Sequence, residues 1–163
     1  MSMWLDLVKI DPSLLAVLRE RPELIGALFS EDDVPEPLVS GVHPTGDSFG
    51  HDYRLLADVA EGRAEAEKGT SDWRTAYPWL ARATGENCRA VEGFEFGYGP
   101  AHFLTPDKVG QVAEGLAGEH WTDRTSAVHW NAAADAGERD FDDLVPFFAK
   151  AAEEGKAVVG GVS

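Results

Sequence analysis

Apolar residues in this chain come in short runs, and proline or glycine closes almost every one. That punctuation bounds the elements before any other feature does, because proline sets a helix start and glycine a stop. Asp11-Pro12 and Thr105-Pro106 have the same form, a capping side chain followed by proline at the first helical position. After the first, Leu14, Leu15 and Leu18 make the buried stripe of a short helix. After the second, Val109, Val112, Ala113 and Leu116 fall at i, i+3, i+4 and i+7. Pro22 opens another short helix with Leu24, Ile25, Leu28 and Phe29 on one face.

Residues 3–10 read as a strand with apolar side chains on both faces. Residues 30–50 carry Pro35, Pro37, Gly41, Pro44, Gly46 and Gly50 and read as a loop. A helix is expected from Asp52, faced by Tyr53, Leu55, Leu56, Val59 and Ala60 and stopped at Gly69. Ser71 or Asp72 caps the next, which Pro78 kinks or restarts and Gly85 ends. Residues 88–104 are extended and aromatic, and 122–134 read as an Ala-rich helix. The last helix runs through Phe141, Leu144, Val145, Phe148, Ala151 and Ala152, with Pro146 in its first turns and Gly155 at its end. Ala157 to Val159 then form a short closing strand, loosened by Gly160 and Gly161. The expectation is one domain, residues 1–163, mixing helices with a small β-sheet.

Charge narrows the partners. Twenty-nine acids stand against 14 bases, a formal net charge of −15. That disfavours nucleic acid, whose affinity comes from clustered Lys and Arg, and an anionic membrane surface. It suits a basic protein partner, which the chain would neutralise. The single cysteine, Cys88, suits a reducing cytoplasm. The N-terminus lacks a basic region, and Asp6 and Lys9 interrupt its apolar run, so it does not read as a signal peptide.

Three segments carry a resemblance. Met1-Ser2-Met3 precedes a strand, Asp11-Pro12, two Leu-rich helices and Arg21-Pro22-Glu23-Leu24. Gly97-Tyr98-Gly99-Pro100-Ala101-His102-Phe103-Leu104-Thr105-Pro106 leads into a helix, and Phe147 to Val159 closes the chain. In this order they resemble the YfbM-like family of bacterial proteins of unknown function. The resemblance implies a compact α/β domain with several helices around a small mixed sheet. It implies no activity, cofactor or catalytic residue.

Chemistry is sparsely marked. Gly46-Asp47-Ser48-Phe49-Gly50 fits the G-x-S-x-G elbow of a serine hydrolase, with Asp123 or Asp135 and His129 available later in the chain. The plainer reading is a Gly-rich loop with a Ser or Asp helix cap. His43, Asp47, His51 and Asp52, or His120, Asp123 and His129, would have to converge to hold a metal, and no zinc motif spaces them so. No metal or cofactor is expected. Glu92 and Glu95 face opposite sides of a strand, which argues against an acid–base dyad. Trp121 and Trp130, set among polar residues, would make a recognition surface if exposed.

The favoured function is a non-enzymatic binding or interaction domain. The alternatives are a small-ligand-binding or enzymatic domain with its site by the Gly97–Pro100 turn, where Tyr98, Gly99, His102 and Trp130 are the candidate residues, and a serine hydrolase using Ser48.

Overall fold

The computed structural model describes residues 3–28, 48–119 and 134–163. Its centre is a five-stranded sheet. The strands are β1 (Trp4–Ile10), β2 (Ser48–Asp52), β3 (Arg89–Phe96), β4 (Gly99–Leu104) and β5 (Ala157–Val162). Their spatial order is β2-β1-β5-β4-β3, and every pairing is antiparallel. The α/β class holds, but the mixed sheet that the YfbM-like resemblance implies is an antiparallel one. Chain geometry explains the difference. The Gly97-Tyr98 turn joins β3 to β4 directly, and so short a link reverses the strand. Between β4 and β5 the described residues form two helices, and the chain returns to the end it left, with Leu104 beside Val158. A single crossover helix would have made the strands parallel.

The helices are α1 (Pro12–Glu20), α2 (Ile25–Leu28), α3 (Tyr53–Lys68), α4 (Trp73–Ala76), α5 (Pro78–Ala83), α6 (Pro106–Gly118) and α7 (Ala134–Glu153). A 3-10 turn, Pro22–Leu24, joins α1 to α2. They cover both faces of the sheet. On one face Leu5, Leu7, Leu104 and Val158 pack with side chains of α3 to α7. On the other, Val8, Ile10, Ala101, Phe103 and Val159 pack with Leu14, Leu15, Leu18, Leu24 and Ile25. The period of two along β1 thus divides one strand between two cores, as its apolar faces require.

Most starts and stops fall where proline and glycine place them. Asp52 caps α3, its carboxylate accepting from the backbone N–H of Arg54 at 2.9 Å and Leu55 at 3.2 Å. Gly69 ends it at φ 67°. Asp72 caps α4, and Pro78 starts α5 rather than kinking one longer helix. The side chains of Asp11 and Thr105 make no cap bond; at α1 the Asp11 carbonyl accepts from Leu14 instead. Pro146 lies inside α7, not in its first turns. The Ala-rich segment 122–133 and most of the 30–50 loop lie outside the described residues.

The closing strand is longer than its sequence promises and lies at the middle of the sheet. Gly160 and Gly161 do not loosen it. A Cβ on Gly160 would run into the Asp6 carbonyl oxygen, and one on Gly161 would meet the Phe96 ring. The glycines let β1 and an aromatic ring approach the central strand.

Candidate functional site

The residues singled out from the sequence do not gather. Tyr98 sits at the tip of the β3–β4 turn, 42% exposed, its N–H donating to the Val162 carbonyl at 3.0 Å. It does not pack over the core. Gly99, at φ 138°, follows it. His102 lies four residues along β4, roughly 13 Å of strand away, beside Ala90 and Gly160. It is 6% exposed and faces the α5–α6 side. A Cβ on Gly85 would fall 2.9 Å from its Nδ1, so the loop after α5 closes over the ring. Its Nε2 is buried without a hydrogen-bond partner among the described residues. Burial pushes its pKa down to about 4, leaving it neutral at pH 7. Tyr98 and His102 therefore share no pocket, and Trp130 lies outside the described residues, as do His43, Asp47, His120, Asp123 and His129.

Ser48 begins β2, paired with Val8, so a strand separates it from the helix that follows. The elbow needs the serine between strand and helix, and this chain places it elsewhere. Asp52 is committed to its cap. No group of three or more His, Cys, Asp or Glu among the described residues is placed to hold a metal. No helix among them is long and apolar enough to cross a membrane. Two acid-rich runs, residues 31–36 and 135–143, also have their side chains outside the described residues.

The structure gathers a different set, at the other end of β4. Arg82 from α5, Asn87 and Cys88 from the approach to β3, Arg89 from the start of β3, and Thr105 and Lys108 from the start of α6 line a cavity of about 160 Å³. An adjoining cavity of about 240 Å³ shares Arg89 and Phe103 with it and adds Arg19 and Glu92. No carboxylate pairs with Arg19, Arg82, Arg89 or Lys108 among the described residues. Three of them rest on rings instead. The guanidinium carbon lies 5.3 Å from the Phe103 centroid for Arg19, 5.8 Å from it for Arg89, and 5.9 Å from the Trp79 centroid for Arg82.

The local backbone builds this wall. Gly85 at φ 113° and Asn87 at φ 58° turn the chain out of α5 and into β3. Asn87 is the one non-glycine at positive φ among the described residues, a conformation that asparagine tolerates better than most. Cys88 donates to the Arg82 carbonyl at 3.2 Å, and burial pushes its thiol up to about 11. It is protonated at neutral pH and a poor nucleophile. The first cavity thus offers three cations, an amide and a hydroxyl, with no acid in its lining. In a chain whose acids outnumber its bases 29 to 14, that is a local reversal of sign.

No family model matches the chain, and neither a curated protein nor a solved structure matches it. The YfbM-like resemblance rests on its three sequence segments.

Proposed function

We propose that the protein is a non-enzymatic binding domain that holds an anionic group in the cavity between Arg82, Arg89 and Lys108. One observation carries the reading: three basic side chains from separate parts of the chain line one cavity, unpaired among the described residues. Guanidinium and ammonium groups bind phosphate and carboxylate through charge-assisted hydrogen bonds. The Thr105 hydroxyl and the Asn87 amide add neutral donors. The small-ligand alternative is kept, moved from the Gly97–Pro100 turn to the far end of β4.

Titration with inorganic phosphate and sulfate at low salt, followed by amide chemical shifts, tests it. Saturable shifts at Asn87, Arg89, Thr105 and Lys108, abolished in Lys108→Ala and Arg82→Ala and weakened by added chloride, are expected. Shifts scattered over the surface, or unchanged in both variants, would overturn the proposal.

A further inference from the structure

We infer that the anion held by Arg82, Arg89 and Lys108 is the phosphate of a nucleoside phosphate, whose base lies in the adjoining cavity against Arg19. The inference rests on the anion-binding reading above and names the class of ligand.

The two cavities meet at Arg89 and Phe103, which line both. They differ in charge. The first is lined by bases without an acid; the lining of the second holds Arg19 and Arg89 together with Glu92, an exposed residue whose carboxylate pairs with neither arginine. Phe103 is 4% exposed, so it is the support and not the contact surface. Both guanidiniums lie against that one ring, at 5.3 and 5.8 Å. A guanidinium is flat and weakly hydrated, and its free face stacks on an aromatic plane. Glu92 offers acceptors only, which suit the N–H groups of a heterocycle.

The same carboxylate narrows the field. A simple inorganic anion would leave the larger cavity unused. A dicarboxylate or bisphosphate would set its second charge against Glu92. A phosphate joined to a flat, N–H-bearing ring matches both cavities: anion to the basic end, ring between Arg19 and Glu92.

The test compares inorganic phosphate, ribose 5-phosphate, adenosine monophosphate and guanosine monophosphate by calorimetry on the full chain. The nucleotides should bind about tenfold tighter than ribose 5-phosphate, within what stacking of one base contributes. Arg19→Ala and Arg19→Lys should both remove that tenfold and leave ribose 5-phosphate unchanged, since lysine keeps the charge but not the plane. Arg19 is exposed, and circular dichroism checks that both variants are folded. Nucleotides binding no tighter than ribose 5-phosphate would overturn the inference and leave the anion site standing. Full affinity in Arg19→Lys would overturn it too, since charge alone would then suffice. Absence of any phosphate binding would overturn the inference and the anion-binding reading together.

Discussion

Two regions of this molecule treat their arginines in opposite ways. Between α3, α4 and α6 a buried arginine is held by a carboxylate, a carbonyl and a ring, with its Nη1 alone lacking a hydrogen-bond partner among the described residues. Arg63, 6% exposed, donates to Glu67 at 3.0 Å and to the Glu119 carbonyl at 2.7 Å, and lies 4.9 Å from the Tyr77 centroid. The Tyr77 hydroxyl donates to the same Glu67 oxygen at 2.9 Å. The Glu119 carboxylate accepts from Trp79 and Leu80, capping α5 from a distant part of the chain. At the end of β4, by contrast, Arg19, Arg82 and Arg89 rest on rings and Lys108 faces the cavity, with no carboxylate partner for any of them among the described residues. A paired, buried cation braces the fold and is unavailable to a ligand. An unpaired one at the surface contributes little to stability and leaves its donors for something else.

The largest effect should come from breaking the brace. Arg63→Ala removes a buried charged donor from the Glu119 carbonyl and from Glu67 and strips the Tyr77 ring of its cover, and is expected to cost about 3 kcal/mol in urea unfolding. A loss near zero would mean that the two regions do not differ as described.

The next test lies between them, at His102. Its folded pKa is pushed below the ordinary 6.5 to about 4. Between those values the unfolded chain binds the proton that the folded one refuses. Stability is therefore complete above pH 6.5, falls as pH drops through that window, and is lowest at pH 4 and below. The full shift corresponds to about 3 kcal/mol. Unfolding at pH 7, 5.5 and 4.5 should show a steeper fall for the wild type than for His102→Leu, which has nothing to titrate. Parallel curves would remove His102 as the cause.

A smaller loss belongs to the cap. Glu119→Ala should cost about 1 kcal/mol, the worth of an N-terminal cap. The smallest effect is expected at the basic rim, where Arg89→Ala and Lys108→Ala should change stability by less than about 0.5 kcal/mol while removing phosphate binding. If those variants unfold the protein instead, the rim is a second brace and the contrast fails.

The helix boundaries were legible because proline and glycine act on their own backbone. Asp52, Gly69, Asp72 and Pro78 do what their dihedral and hydrogen-bonding preferences dictate. The Gly160-Gly161 pair misled for the opposite reason. Within the chain it looks like a loosened end, and only the neighbours Asp6 and Phe96 make it the middle of a sheet. The candidate site misled likewise. Tyr98 and His102 are close in sequence, but the strand between them holds them apart, and burial takes His102 from the surface. The basic set left a faint mark, Arg82, Arg89 and Lys108 on either side of the hairpin in an acid-rich chain. Arg19, far earlier, left none.

By itself the sequence determined the local grammar of this protein: where helices start and stop, which stripes are apolar, and that helices accompany a small sheet. These follow from each residue's own backbone and its nearest neighbours. Tertiary structure alone decided that the sheet is antiparallel, that the last strand is central, and that four cations from distant segments meet at one end of β4. Pairing and convergence depend on contacts between residues far apart in the chain, and no local preference encodes them.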